Sequence, residues 1–195
     1  MKHYKINEIF YSLQGEGYFA GTPSLFIRFS GCNLHCPFCD TAHEAGRSLS
    51  LSDILDEAAA CPATHVVLTG GEPSLFVSQE IIDGLHALGK FIAIETNGTH
   101  ALPAGIDWVT LSPKTPFVTG APPMVLRYCD ELKLIFDGRP VPEFRGLSVS
   151  HRFVQPCDTG DDARNAVITA AAITYCLQHP TWRLSLQTHK LTGIR

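Results

Sequence analysis

Three cysteines crowd into eight residues of the run Gly31-Cys32-Asn33-Leu34-His35-Cys36-Pro37-Phe38-Cys39-Asp40-Thr41. Thiolates four and three positions apart on one loop converge on a small object and leave one ligand position open. Two sites suit this spacing: zinc completed by His35 or His43, or a [4Fe–4S] cluster with one iron free to take another ligand. Cys61, Cys129, Cys157 and Cys176 lie scattered, and seven cysteines is an odd number, so a disulfide framework is not expected.

Further along, an apolar run at 65–69 leads straight into Gly70-Gly71-Glu72-Pro73. Paired glycines let a ligand approach the backbone and leave carbonyls and the Glu72 carboxylate for an ammonium group. The alternative is a tight turn whose Pro73 starts a helix. Arg28 stands in the otherwise apolar stretch Phe26-Ile27-Arg28-Phe29, where a guanidinium requires an anion. A substrate carboxylate would serve, as would an internal salt bridge to Glu16 or Glu8.

These groups need a scaffold that brings loop ends together. Strand-length runs occur at 25–29, 65–69, 91–95, 108–111, 131–136, 152–154 and 183–187, several of them apolar throughout, as strands covered on both faces are. Helical spacing appears at 50–60, where Ser50 and Asp53 form a capping box, and at 77–88. A third helix at 161–179 starts with Asp161 and Asp162, stops at Pro180, and carries Val167, Ala170, Ile173, Tyr175 and Leu177 as its apolar positions. The proline-broken gaps between the later strands can hold only turns or helical fragments. The predicted fold is α/β: a partial, splayed (β/α) barrel of about six or seven mostly parallel strands and about three full helices, too short for the ~250 residues of a closed eightfold barrel. Residues 1–195 form a single domain. The net charge of −4 argues against direct nucleic-acid binding, and no run of about 18 apolar residues suggests a membrane span. The first ten residues lack a basic end followed by an apolar stretch, so the expected location is cytoplasmic.

Cys-x3-Cys-x-aromatic-Cys followed at the next strand end by Gly-Gly-Glu-Pro resembles the radical S-adenosylmethionine (SAM) superfamily. Ser12-Leu13-Gln14-Gly15-Glu16-Gly17, Asp40-Thr41, Glu95-Thr96-Asn97-Gly98-Thr99, Ser112-Pro113-Lys114 and Gln187-Thr188-His189-Lys190 extend the resemblance, over nearly the whole chain, to the 7-carboxy-7-deazaguanine synthase family. That resemblance implies a lyase of queuosine biosynthesis that contracts the ring of 6-carboxy-5,6,7,8-tetrahydropterin with loss of ammonia. It implies a [4Fe–4S] cluster on Cys32, Cys36 and Cys39, and SAM as a reusable source of a 5′-deoxyadenosyl radical. SAM would be held by Phe38, Gly70, Gly71, Glu72, Ser112, Pro113, Lys114, Gln155, Pro156, Cys157 and Asp158. The pterin would be held by Leu13, Gln14, Gly15, Arg28, Thr69, Glu95 and His189. The Thr41 hydroxyl would ligate Mg²⁺, with Asp40 in support.

No second cysteine motif is present, so no auxiliary cluster is expected. The family also implies a homodimer and a one-electron donor such as flavodoxin. Two other functions were weighed. A glycyl-radical-enzyme activase would need an open groove for a protein loop, and a non-catalytic zinc or electron-transfer module would leave Gly70 to Pro73 and the polar strand ends without a task.

Overall fold

The computed structural model describes residues 2–39, 41 and 45–195. Asp40 and His43, which the sequence offers as a supporting acid and a zinc ligand, lie outside them. Nine strands form one sheet: β1 (His3–Leu13), β2 (Pro23–Phe29), β3 (Arg47–Ser50), β4 (His65–Gly70), β5 (Phe91–Thr96), β6 (Trp108–Leu111), β7 (Tyr128–Phe136), β8 (Ser148–Pro156) and β9 (Trp182–Leu184). Their spatial order is β3-β1-β2-β4-β5-β6-β7-β8-β9, with an edge at each end, so the barrel is open. The seven predicted runs are the seven strands from β2 to β9 that pair in parallel. β1 and β3 are additional and antiparallel. β1 escapes a search for apolar runs because it is half exposed and carries Glu8 in its middle. The last predicted strand is shorter than 183–187: it ends at Leu184, and Gln187 instead caps a helix.

The helices are α1 (Leu51–Ala60), α2 (Gln79–Ala87), α3 (Asp162–Gln178) and the short α4 (Thr188–Thr192), which the sequence did not predict. The Ser50 and Asp53 capping box is present, with Asp53 Oδ2 accepting from Ser50 N at 2.8 Å. The predicted apolar face of α3 is corrected. Ile168 and Ala172 are its buried residues, whereas Val167 is 70% and Leu177 is 78% exposed. An alanine-rich helix has apolar positions all round, so periodicity alone did not select the buried side.

Period-two alternation decides what each parallel strand contributes. Leu25, Ile27 and Phe29 of β2, Val66 and Leu68 of β4, and Ile92 and Ile94 of β5 pack outward against Ile54, Ile81, Ile82 and Leu85 of α1 and α2. Each such fully buried side chain contributes about 1.5–3 kcal/mol. The opposite faces carry Phe26, Val67 and Ala93, which form a small inner cluster with Phe10. One or two steps further along, toward the strand ends, the inner face turns polar: Arg28, Thr69, Glu95, Lys133 and Gln155.

Candidate active site

Both chemistry-bearing loops leave the C-terminal ends of neighbouring strands, β2 and β4, and are bonded to each other. Gly71 N donates to Phe29 O at 3.0 Å, and Glu72 N donates to Gly31 O at 2.9 Å. A Cβ on Gly71 would stand 2.0 Å from Gly31 O, so glycine is required there to admit the cysteine loop rather than a ligand. The Glu72 carboxylate is likewise committed within the protein. Fully buried, it accepts from Thr96 Oγ1 at 2.6 Å, Asn97 N at 2.7 Å and Ser74 N at 3.1 Å. The sequence reading of a free Glu72 carboxylate is therefore corrected: it ties the end of β5 to the Gly-Gly turn. Asn97 and Thr99 complete the clamp by bonding Asn33 of the cysteine loop, at 3.0 and 2.9 Å.

Cys32, Cys36, Cys39, Phe38 and Thr41 line a cavity of about 800 Å³, within the range of small-molecule sites. Every described residue that the resemblance implied as a cluster, SAM, Mg²⁺ or pterin contact lines it, apart from Pro113, which is buried beside it. His35 is exposed and away from the cavity. Among the described residues no three His, Cys, Asp or Glu side chains group around one metal-ion position. The three thiols come from one loop and all line the cavity. Burial pushes the Cys32 and Cys36 thiols up. Cluster assembly there displaces protons.

Phe38 meets Phe117 edge-on at 5.1 Å, and the Lys114 ammonium lies 5.9 Å from the Phe38 ring. Lys114 also donates to Ser112 Oγ at 2.6 Å, which holds the pair at the cavity wall. Desolvation pulls the Lys114 ammonium below its ordinary range. Gln155 accepts from Ser185 at 2.8 Å. Asp158 is held well below the usual carboxylate range by hydrogen bonds from Lys190, Gly160 N and Asn165. Its contact with Lys190, at 2.6 Å, links the loop after β8 to α4.

The opposite side of the cavity is built by the loop after β1, which folds across the open barrel. Gly17 N donates to Ser185 Oγ at 2.9 Å, and Tyr18 N to Glu131 Oε2 at 3.0 Å. Gly15 O accepts from Thr188 N at 3.0 Å and Thr188 Oγ1 at 2.8 Å, docking α4 and its His189 onto the loop. Arg28 sits 3.0 Å from Glu8 Oε1, yet its buried Nε–H is not aligned as a hydrogen bond. Arg195 contacts the other oxygen of Glu8. Of the two internal partners foreseen for Arg28, Glu8 is the one found. Glu16 is taken by Lys133 at 2.5 Å, and Glu95 accepts from Lys133 at 3.2 Å and Thr69 Oγ1 at 2.8 Å. Lys133 lines the cavity and was not singled out from the sequence, whereas Gln187 and Lys190, which line it too, were quoted only as part of a motif. For Lys133 the signal was available: a charge flanked by Leu132 and Leu134 in a buried strand is the reasoning applied to Arg28.

A parallel, open barrel with a three-thiol loop after one strand and a Gly-Gly-Glu-Pro turn after the next defines a radical SAM protein. The radical SAM superfamily pattern matches residues 26–131. The 7-carboxy-7-deazaguanine synthase of Bacteroides thetaiotaomicron is 51% identical over 191 residues, covering 98% of each chain. That of Bradyrhizobium diazoefficiens is 45% identical, covering 98% of this chain and 99% of its own. The crystal structure of QueE from Escherichia coli superposes with a TM-score of 0.74 at 31% identity, covering 96% of this chain and 95% of that one. The chain belongs to the 7-carboxy-7-deazaguanine synthase family of radical SAM lyases.

Proposed function

We propose that this chain, acting as one domain over residues 1–195, converts 6-carboxy-5,6,7,8-tetrahydropterin to 7-carboxy-7-deazaguanine with release of ammonia. The observation that carries the reading is the juxtaposition of the three-thiol loop with the inner polar band of Arg28, Thr69 and Glu95 in one cavity. A guanidinium for a carboxylate and an acid for N–H donors match the two ends of the carboxypterin. Cys32, Cys36 and Cys39 would hold the [4Fe–4S] cluster. Phe38, Gly70, Gly71, Ser112, Lys114, Gln155, Pro156, Cys157 and Asp158 would surround SAM, with Glu72 acting through its backbone and buried Pro113 fixing the approach of Lys114. When bound, cluster and cofactor supply reductive cleavage of a sulfonium and abstraction of a hydrogen atom.

Leu13, Gln14, Gly15 and His189 would enclose the pterin from the loop after β1 and from α4. The Thr41 hydroxyl would contribute one oxygen to a Mg²⁺ ion that also takes the substrate carboxylate. A flavodoxin-type one-electron donor, a homodimer and a cytoplasmic location complete the reading; no helix of the described chain is long and apolar enough to cross a membrane. An activase of a glycyl-radical enzyme would need room for a protein loop, whereas here α4 is bonded across the cavity mouth to Gly15 and Asp158. The test is anaerobic reconstitution with iron and sulfide, then SAM, Mg²⁺, reductant and the carboxypterin. Mass analysis should find 7-carboxy-7-deazaguanine in many-fold excess over SAM consumed. Cleaved SAM with no deazapurine would refute the reading.

A further inference from the structure

The cavity holds one buried cation between two carboxylates, and the proposed contacts leave it without a task. The Lys133 side chain is 6% exposed, against 15% for Glu16 and 25% for Glu95. Its ammonium bridges the two acids, which arrive from separate elements: Glu16 from the loop after β1 and Glu95 from β5. Their other side-chain donors are neutral. Gln187 Nε2 lies 3.0 Å from Glu16, and Gln14 Nε2 and Thr69 Oγ1 lie 3.3 and 2.8 Å from Glu95. Lys133 is the ammonium that bonds both acids, while Lys114 acts on them at longer range. Held side by side by one ammonium, the two carboxylates present acceptor oxygens that suit a ligand edge rich in N–H donors and disfavour an edge of acceptors.

We propose that Lys133 is the positioning and specificity residue of the substrate pocket, holding Glu16 and Glu95 side by side as acceptors for the amino and ring N–H edge of the pterin. This rests on the carboxypterin reading above. Glu95, the most exposed of the three, meets the ligand, and Lys133 acts through it. The other charged and titratable groups around the trio are Glu131 on β7, Lys114 after β6, Arg28 on β2 and His189 on α4. Lys133 is hydrogen-bonded to both acids, whereas Lys114 reaches them only electrostatically.

The test compares reconstituted wild-type enzyme with Lys133→Met and Lys133→Arg under anaerobic conditions. Lys133→Met should raise the KM for the carboxypterin by about thirtyfold or more, because a buried charge pair loses its partner. SAM affinity and iron content should not change. Lys133→Arg should recover most of the affinity. Should Lys133→Met fail to fold, the Glu16→Gln/Lys133→Met double variant removes an acid and the cation together. It should bind the carboxypterin weakly while SAM affinity and iron content stay at wild-type levels. Unchanged carboxypterin affinity in whichever variant folds, or an equal loss of SAM binding, would overturn the proposal. Wild-type enzyme that neither binds nor converts the carboxypterin would overturn the reading beneath it as well.

Discussion

Arg28 has one guanidinium and two claimants, Glu8 within the protein and the substrate carboxylate in the proposed complex. Its contact with Glu8 is partly exposed, with both side chains 29% accessible, so it stabilises the fold by no more than about 1 kcal/mol. Arg28→Lys should therefore leave the melting temperature almost unchanged but weaken carboxypterin binding by about 1.5–3 kcal/mol, through loss of the planar fork. Calorimetric titration beside a thermal melt separates the two. Glu16 behaves differently because it is enclosed. Burial would raise its carboxyl, but the Lys133 ammonium and hydrogen bonds from Lys133, Gln187 and Gln155 outweigh burial and lower it from 4.5 to about 2. A lowered carboxyl stabilises the fold above its unfolded value and ceases to do so as pH falls through its folded value. Urea unfolding should accordingly show stability declining from about pH 5 toward pH 2, with a shallower decline in Glu16→Gln. Single residues were legible wherever a motif surrounded them. Glu16 was quoted within its motif, yet its true partner was not, because Lys133 lies 117 positions away in sequence.

At the level of elements, glycines set how closely the loops pack. Gly71→Ala would drive a Cβ to 2.0 Å from Gly31 O, a backbone atom that cannot rotate aside. The variant should lose about 1–3 kcal/mol of stability and retain less iron after reconstitution, measured by chemical unfolding and iron assay. Gly15→Ala would place a Cβ 2.4 Å from His189 Nδ1, on a side chain that can swing away. Its cost should fall on carboxypterin KM rather than on the fold, as α4 is pushed off the loop after β1. The parallel strands were readable because continuous apolar runs such as Val66-Val67-Leu68 are buried on both faces. α3 was readable in extent, from Asp161 at its N-cap to the proline after it, but not in orientation. α4 was not readable at all, since five residues carry no helical period, and its position is set by hydrogen bonds to Gly15.

Across the whole molecule, alternation on neighbouring strands places chemistry on one face and packing on the other. Arg28, directly paired with Thr69 in the sheet, and Glu95, Lys133 and Gln155 on later strands all face the cavity because their outward-facing neighbours fill the core. The open barrel would leave that band exposed, and the loop after β1 together with α4 closes it by bonding both ends of the sheet. The same separation bears on the cysteines. Cys129 packs with Leu111 and Leu132, and burial, with Asp130 and Glu131 adding, pushes its thiol up to about 12. Cys176, on α3, packs against the cluster of Phe136 and Val154, and Cys61, at the end of α1, packs against the main core. Cys157 shares the cavity wall with Asp158, but its own thiol is also raised by burial. Burial raises Cys32 and Cys36 as well, so spacing and not acidity separates the two groups: only the loop of Cys32, Cys36 and Cys39 offers three sulfurs together. Iron content after anaerobic reconstitution should therefore stay near four per chain in Cys129→Ala, Cys157→Ala and Cys176→Ala, and collapse in Cys32→Ala, Cys36→Ala or Cys39→Ala. Because the cluster binds the folded loop and not the unfolded chain, loading should also raise the melting temperature, by roughly 2–4 °C for each kcal/mol of binding. The three loop variants should lack that rise while melting, without iron, close to the wild-type apoprotein. Loss of about half the iron in Cys157→Ala would instead reveal a second cluster at the cavity wall.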